Sequence, residues 1–196
     1  MAKDEELLAK FIQGDEAAFA ELVSRHQREL FTFLRRFVNN ASAADDLFQE
    51  TFVQVYRSAR TFDESRRFRP WVFAIAANKA RDFLRASLRR QTQSLDGAFR
   101  RDDFRCGMEP AQEGDPPVAE ALVREEDAAQ VRRVLATMPE IYREVLTLSY
   151  FHRFAYKEIS EMLDIPLGTV KSRLHTALAT FAKAWNGAAK DRSIED

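Results

Sequence analysis

A basic, aromatic-rich segment between residues 66 and 90 carries the residue types best suited to binding nucleic acid. Eight lysines and arginines stand here against a single acid, Asp82, with aromatic residues interspersed. Positive charge attracts backbone phosphates, and exposed aromatic rings can stack on unpaired bases. We expect Phe73 and Phe83 to be core residues, whereas Trp71 and the nearby Phe62 are candidates for base contact. Alternatively, the aromatics form a core beneath a solvated basic face. The basic residues are Arg66, Arg67, Arg69, Lys79, Arg81, Arg85, Arg89 and Arg90.

A second nucleic-acid signature lies between Phe154 and Leu174. Its apolar residues are spaced to pack two short helices across a tight turn, as in a helix-turn-helix. Lys171, Ser172 and Arg173 fall near the start of the second helix, where a recognition helix presents donors to the major groove. His175, on the same helix, is a DNA-facing or a surface imidazole. An amphipathic hairpin with a solvated basic face is the alternative. The apolar residues are Ile159, Met162, Leu163, Ile165, Val170 and Leu174.

An acidic cluster precedes the basic segment and consists of Asp45, Asp46 and Glu50 on the first turns of a predicted helix. Acids near a helix N-terminus stabilise the helix dipole by about 0.3–1 kcal/mol each. This explains Asp45 and Asp46 well, but Glu50 poorly. An acidic patch so close to a basic nucleic-acid face indicates a second, basic protein partner.

Composition restricts the remaining function classes. The chain of 196 residues is 45% hydrophobic and has a net charge of −1, which excludes general disorder. The three histidines are scattered, and we find no carboxylate pair, His/Cys cluster or phosphate loop, so we expect neither an enzyme nor a metal or cofactor. The single cysteine, Cys106, excludes an intramolecular disulfide. Without a signal-peptide pattern or a long apolar stretch, a cytoplasmic protein with no membrane insertion is expected.

The elements that must position these residues are all predicted to be helices, since no useful segment alternates with period two. A short helix from about Asp4 to Gln13 precedes a long amphipathic helix that ends near Asn39. A third helix begins with Ser42 as its N-cap and Asp45 as the acidic N3 partner. A fourth starts at Pro70 and runs to about Leu88.

The pattern dissolves between residues 91 and 117, where three glycines and three prolines occur in an acidic stretch without apolar periodicity. So long a run is typical of an interdomain linker. Four further helices are predicted: Val118 to Met138, one opened by Pro139, Tyr156 to Leu163, and about Pro166 to Trp185. We therefore predict an all-α fold of two small helical domains, 1–90 and 118–186, joined by the flexible linker 91–117 and followed by a tail, 187–196.

Three sequence blocks, in this order, resemble the extracytoplasmic-function (ECF) sigma factors, the minimal two-domain group of the bacterial sigma factor family. The blocks are 44–56 (ADDLFQETFVQVY), 68–78 (FRPWVFAIAAN) and 166–173 (PLGTVKSR). The resemblance implies a four-helix sigma region 2, which binds core polymerase and the −10 element, and a helix-turn-helix sigma region 4, which reads the −35 element. It implies an alternative sigma factor whose partners are core RNA polymerase (its β′ and β subunits), promoter DNA and an anti-sigma factor.

The resemblance also implies roles for individual residues. The coiled coil of the polymerase β′ subunit would be bound by Asp45, Asp46, Gln49 and Glu50. The −10 element would be melted, and a flipped base captured, by Phe62, Trp71, Asn78, Lys79, Arg81, Asp82 and Arg85. The −35 element would be read in duplex form by Tyr156, Lys157, Thr169, Lys171, Ser172, Arg173 and His175. The linker would thread through the polymerase toward the RNA exit path.

Two departures from the family pattern bear on the DNA contacts. The turn His175-Thr176-Ala177-Leu178 is uncharged where the family usually places an arginine, and Ala74 replaces a basic residue found in some relatives beside the −10 pocket. Three other readings stay open. A stand-alone helix-turn-helix regulator leaves the acidic patch without a role, a sigma-like mimic that binds an anti-sigma factor usually carries a receiver domain, and a nucleic-acid enzyme needs a catalytic site.

Overall fold

The computed structural model describes residues 2–63, 65–94 and 128–195, and these ranges contain helices and turns but no strand. The predicted all-α class is confirmed. Most of the predicted linker, Cys106 and the predicted helix start at Val118 lie outside the described residues. Within the described residues, four α-helices lie before residue 95 and four after residue 127: α1 (Asp4–Ile12), α2 (Glu16–Val38), α3 (Ala41–Ser58), α4 (Phe68–Ser94), α5 (Ala128–Thr137), α6 (Glu140–Leu146), α7 (Tyr156–Leu163) and α8 (Leu167–Glu195). A short 3-10 helix, Ala59–Thr61, follows α3, and a π-helical turn, Thr147–Phe151, follows α6.

The junction between α2 and α3 corrects one prediction. Asn39 adopts the left-handed conformation (φ 52°) and ends α2, and the extended Asn40 then caps α3 by accepting a hydrogen bond of 3.0 Å from the amide of Ala43. The predicted N-cap, Ser42, is therefore wrong, because two consecutive asparagines end one helix and begin the next. Asp45 and Asp46 consequently lie beyond the first turn of α3.

The start of α4 corrects a second prediction. The helix begins at Phe68 rather than Pro70, because the carboxylate of Glu5 in α1 accepts a hydrogen bond of 2.7 Å from the Phe68 amide. Glu5 thus caps a helix that is 63 positions away in the sequence. Pro70 lies in the first turn, where its missing amide hydrogen loses no intrahelical bond. At its other end α4 continues to Ser94, four residues into the predicted linker.

The buried side chains of the first domain come mainly from α2, α3 and α4, which pack against one another. The second domain buries the stripes of α5, α6, α7 and α8 around Phe181. The last helix, α8, extends beyond the predicted end at Trp185 and through the predicted tail to Glu195. The largest fully buried side chains are Phe33, Phe37, Phe68, Phe73, Phe181, Leu8, Leu22, Leu30, Leu34, Leu135, Leu146 and Leu148.

The two domains pack directly against each other. The sequence had led us to expect two domains joined only by a flexible linker, without such a contact. Phe154 packs against Phe73 of α4 with ring centroids 4.9 Å apart, and His152 contacts both Phe33 (5.6 Å) and Phe73 (5.2 Å). Helix α2 contacts α5 and α6, and α4 contacts α7. The buried apolar residues of both domains therefore form one continuous cluster.

Candidate nucleic-acid interface

The acidic cluster lies on the outer face of α3. Asp45, Asp46, Gln49 and Glu50 are exposed, whereas Ala44, Leu47, Thr51 and Val55 on the opposite face are buried. Oε2 of Glu50 lies 3.2 Å from Nζ of Lys79 in α4, so an ion pair between helices accounts for the acid that helix capping could not.

A cleft of about 540 Å³ separates these acids from α4 and is lined by Asp46, Gln49, Glu50, Val53 and Lys79, among others. Val53 is half exposed in this cleft, whose charged lining residues are the acids Asp46 and Glu50 and the bases Arg57 and Lys79. A surface that combines carboxylates with an apolar side chain suits a basic, amphipathic protein segment better than it suits DNA.

The aromatic candidates for base contact lie side by side at the start of α4. The rings of Phe62 and Trp71 are 4.8 Å apart, and Trp71 also packs 5.8 Å from the buried Phe68. Both candidates are partly buried. Such neighbours hold a ring in place and leave an edge or face available for stacking. Phe73 is fully buried, as predicted, whereas Phe83 is only partly buried.

The polar side chains of α4 are extensively paired. Arg81 donates a hydrogen bond to Oδ1 of Asn78, and Arg85 lies 3.6 Å from Asp82. Asn78 and Asp82 are both exposed. Asn78, Lys79, Arg81, Asp82 and Arg85 thus form one surface, with Lys79 linked to the acidic face and Arg81 to the second domain.

The upstream arginines of the basic segment are not free phosphate ligands, contrary to the simplest reading of the sequence. Arg69 binds both carboxylate oxygens of Glu29 and donates a hydrogen bond of 2.6 Å to the carbonyl of His152. Arg66 lies 3.5 Å from Asp63, and Arg67 lies 3.8 Å from Glu158 of α7. Arg69 and Arg67 therefore connect the two domains.

The helix-turn-helix is confirmed in its geometry. Helix α7 ends at Leu163, and Asp164 after it adopts the left-handed conformation (φ 52°). The hydroxyl of Ser160 donates to the carbonyl of Ile165 (2.6 Å) and fixes the turn. At the other end of α7, the carboxylate of Glu158 accepts from the Ala155 amide at 2.9 Å. The predicted packing residues are buried, apart from the partly buried Ile165: Ile159, Met162, Leu163, Val170 and Leu174.

The predicted recognition residues differ in exposure. Lys171, Ser172 and His175 are exposed on α8, whereas Thr169 and Arg173 are half-buried. Tyr156 and Lys157 are exposed at the start of α7. The charge of Arg173 acts on the buried Glu144 of α6, so Arg173 lies on the side of α8 that faces α6.

A polar cluster at the domain interface, formed by Glu29, Arg69 and His152, was not anticipated. Nδ1 of His152 lies 3.3 Å from Oε1 of Glu29. Burial alone would raise the pKa of Glu29, but hydrogen bonds from His152 and Arg69 lower it from 4.5 to about 2. Burial lowers the pKa of His152. The neutral tautomer that carries its proton on Nδ1 fits this network.

A second buried carboxylate at the interface, Glu144 of α6, has a different environment. Its Oε1 lies 3.4 Å from Nε of Arg81, a longer contact than an ordinary hydrogen bond. Burial raises the pKa of Glu144 to about 7, and the charge of Arg81 only partly offsets it. Sequence patterns give no signal for these residues, because each is paired with a residue of the other domain.

The described residues contain no group of three His, Cys, Asp or Glu that could hold a metal ion. Nor does any helix in the described ranges have the length and apolarity needed to cross a membrane.

Comparison with known proteins decides the family. Residues 22–90 match the Sigma-70 region 2 family and residues 128–181 match the Sigma-70 region 4 family, in the order expected. The chain is 32% identical over 182 residues to the RNA polymerase sigma-H factor of Pseudomonas aeruginosa, covering 93% of each chain. It is also 32% identical over 175 residues to the ECF RNA polymerase sigma-E factor of Escherichia coli K12, covering 89% of this chain and 90% of that one. The chain belongs to the ECF sigma factor family.

Solved structures agree with this ECF sigma factor fold. The structure of CnrH in complex with the cytosolic domain of CnrY matches with a TM-score of 0.67 and 27% identity, over 94% of this chain and 97% of that one. The match over nearly the whole of CnrH extends across both domains. The members of the family are transcription initiation factors, and the chain is an RNA polymerase sigma factor of the ECF type.

Proposed function

We propose that the exposed motif residues divide the work of this sigma factor among three surfaces. The acidic face of α3 binds core RNA polymerase, the surface of α4 with the Phe62–Trp71 pair opens and reads the −10 element, and the start of α8 reads the −35 element. The observation that carries the proposal is that these faces are exposed on three different helices, while the opposite faces of the same helices are buried.

The polymerase assignment is supported by charge and shape. Asp45 and Asp46 project from α3 beside a cleft with an apolar side chain, and neither forms an ion pair with another described residue. A basic helical segment could pair with the carboxylates and cover Val53. Complementary charges speed association and select the partner, whereas like charges placed together are unfavourable. Reversing the charge of these carboxylates is therefore expected to repel a basic segment of the polymerase.

The DNA assignment is supported by the kind of side chain that each domain exposes. The first domain offers aromatic rings and an amide, Asn78, which suit unstacked bases. The second offers Lys171 and Ser172 at the start of a recognition helix, which suit base edges in a duplex groove. The first domain is therefore suited to a single-stranded −10 element, and the second domain to a double-stranded −35 element.

The packed arrangement cannot engage both elements at once. The two elements are about 25 base pairs apart, or about 85 Å along duplex DNA at 3.4 Å per base pair. A compact chain of this length has a radius of gyration of only about 16 Å. We therefore propose that binding to polymerase separates the two domains and exposes the α4 surface that Arg81 now shares with Glu144.

A protein that binds the packed domains is proposed as a further partner. The CnrH structure contains the cytosolic domain of CnrY, and CnrH resembles this chain across both domains. The family resemblance implies an anti-sigma factor in this role. Such a protein would oppose initiation if it bound the packed form more tightly than the separated form.

Reconstituted transcription tests the proposal. Purified chain is added to core RNA polymerase and a promoter library whose −10 and −35 elements are randomised separately, and the transcripts are sequenced. We expect selective transcription that depends on both components and on both elements. Specific, nanomolar binding of duplex by the chain alone, with no transcription on addition of core enzyme, would support a stand-alone helix-turn-helix regulator instead.

A further inference from the structure

A cavity of about 620 Å³ lies between the two domains, where the junction of α2 and α3 faces α5. Three arginines line it, Arg35 from α2 and Arg132 and Arg133 from α5. Asn39 and Asn40 of the junction also line it, and the lining contains no acidic residue among those described. The volume is within the range of about 300–1,000 Å³ that is typical of small-ligand sites.

Positive charge is concentrated here without a counter-charge in the described part of the chain. None of the ion pairs formed by described residues involves Arg35, Arg132 or Arg133. The neighbouring Arg36 stacks on the ring of Phe151 at 4.2 Å, and burial, followed by the charge of Arg132, lowers its pKa. Like charges that line one cavity repel one another, and an anion placed between them would relieve the repulsion.

The backbone of the α2–α3 junction adds to the same electrostatic field. Ala41, the first residue of α3, lines the cavity, and α3 is a helix of 18 residues. The N-terminal end of a helix carries partial positive charge and amides suited to an anion. The side chain of Asn40 accepts the hydrogen bond of the Ala43 amide, so only the earlier amides of this turn can bind a ligand. The helix end thus reinforces arginines that come from two other helices.

We propose that this cavity binds a small, multiply charged phosphate anion and that the bound anion holds the two domains together. Guanidinium groups match phosphate oxygens as paired donors. One carboxylate could neutralise only one of the three arginines, whereas a phosphate chain brings several negative charges into a small volume. The phosphate chain of an inorganic oligophosphate and that of a nucleotide share this chemistry.

Because the arginines come from both domains, a bound ligand would favour the packed arrangement of the domains. Arg35 belongs to the first domain and Arg132 and Arg133 to the second, so the site is complete only while the domains are packed. A ligand that prefers the packed state shifts the equilibrium toward it and opposes any partner that separates the domains. None of the residues assigned to polymerase or promoter binding lines the cavity, so the site can be altered independently of them.

Calorimetric titration of the full chain with inorganic tripolyphosphate, at constant ionic strength, tests the proposal. The test variant Arg35→Gln/Arg133→Gln removes one arginine from each domain. The matched control Arg28→Gln/Lys183→Gln removes the same charge from exposed positions in the same two domains. We expect binding to weaken by at least about tenfold in the test variant and by less than about twofold in the control, since direct charged hydrogen bonds are lost only in the first.

Further arms separate the source of the phosphate and the role of each domain. Equal affinity for tripolyphosphate and ATP would assign recognition to the phosphate chain alone, whereas tighter binding of ATP would add a contact to the nucleoside. Arg35→Gln and Arg133→Gln should each weaken binding on their own, and tripolyphosphate should raise the thermal midpoint of the unaltered chain. If only one of the two single variants matters, the bridging role is overturned.

Three outcomes would overturn the site itself. The first is that the unaltered chain binds neither phosphate compound. The second is that the control variant loses as much affinity for tripolyphosphate as the test variant. The third is that a short DNA duplex, but not tripolyphosphate, binds through Arg35 and Arg133. The last outcome would make the patch a contact for the DNA backbone. Circular dichroism of every variant establishes that the helices are retained, which is expected because all four substituted side chains are exposed.

Discussion

Oε1 of Glu144, in the second domain, lies 3.4 Å from Nε of Arg81, in the first, and neither atom has a hydrogen-bond partner among the described residues. The pair therefore joins the domains at a high electrostatic cost. Burial raises the pKa of Glu144 from 4.5 to about 7. Between these two values the folded chain holds a proton that the unfolded chain has released, so stability falls as the pH rises through this window.

We predict that Glu144→Gln removes this pH dependence. The unfolding free energy of the variant minus that of the unaltered chain should increase by on the order of 2 kcal/mol from pH 5 to pH 8, since one pKa unit corresponds to about 1.4 kcal/mol. Urea unfolding at the two pH values measures this difference. Titrations of Glu140 and His152 occur in both chains and largely cancel. Glu161→Gln, an exposed substitution on α7, should give the same difference at both pH values. A pH-independent difference for Glu144→Gln would contradict the buried, proton-binding state.

Glu29→Gln, by contrast, should lower the free energy of unfolding at neutral pH. Glu29 accepts hydrogen bonds from Arg69 and His152, which lower its pKa to about 2 despite partial burial. Its contribution is therefore fully present above pH 4.5 and is lost as the pH falls toward 2. We expect a loss on the order of 1–2 kcal/mol at pH 7, discounted because the carboxylate is partly exposed.

The matched control for Glu29→Gln is Glu16→Gln, which alters an exposed carboxylate at the start of the same helix. Urea unfolding should show a smaller loss for the control at pH 7. The loss caused by Glu29→Gln should shrink at pH 3. If both variants lose the same stability, Glu29 does not hold the domains together.

Local patterns in the sequence were enough to predict most of the helices. The apolar residues of α7 and the start of α8 recur at helical spacing, so their burial and the turn between them followed from nearby residues alone. The exposure of Asp45, Asp46 and Lys171 also followed, because each is a charged residue on the outer face of an amphipathic helix.

Contacts between distant residues account for what the sequence did not predict. Helix α4 begins at Phe68 because of a cap from Glu5, and His152 meets Glu29 across 123 positions of sequence. Arg69 looked like a phosphate ligand because its neighbours are basic, yet it is bound to Glu29 and to the carbonyl of His152. Neither periodicity nor composition records such pairings, because the partners come from distant helices of one domain or from different domains.

Charge reversal on α3 should weaken binding to core polymerase and leave the fold intact. Asp45 and Asp46 are exposed beyond the first turn of α3, so Asp45→Lys/Asp46→Lys replaces attraction to a basic partner by repulsion. We expect affinity to fall by at least about tenfold in a pull-down or titration with core enzyme, equivalent to about 1.4 kcal/mol. Glu50→Lys should add to the loss, although it also breaks the pair with Lys79.

The matched control for this reversal is Glu16→Lys/Glu161→Lys, which makes the same change in net charge at exposed positions elsewhere. The control should retain core enzyme, and circular dichroism should be unchanged in both variants. Undiminished retention of Asp45→Lys/Asp46→Lys would show that the acidic face has another role.

The last prediction separates the two surfaces proposed to read DNA. Lys171 and Arg173 are about 200° apart around α8, so both cannot face the same base pair. Lys171 is exposed, whereas Arg173 is half-buried on the side toward Glu144. We therefore expect Lys171→Ala to relax preference at one −35 position, at a cost of ~1–3 kcal/mol, and Arg173→Ala to weaken all −35 sequences alike.

Asn78→Ala should leave the −35 preference unchanged and impair discrimination within the −10 element, because Asn78 is exposed on α4 in the other domain. Lys183→Ala, an exposed lysine further along α8, serves as the control for Lys171→Ala and should alter neither element. Transcription from the two randomised libraries, with polymerase reconstituted with each variant, measures all four effects. Two outcomes would contradict the assignment of one domain to each element. One is a change of −35 preference in Asn78→Ala, and the other is an unchanged −35 preference in both Lys171→Ala and Arg173→Ala.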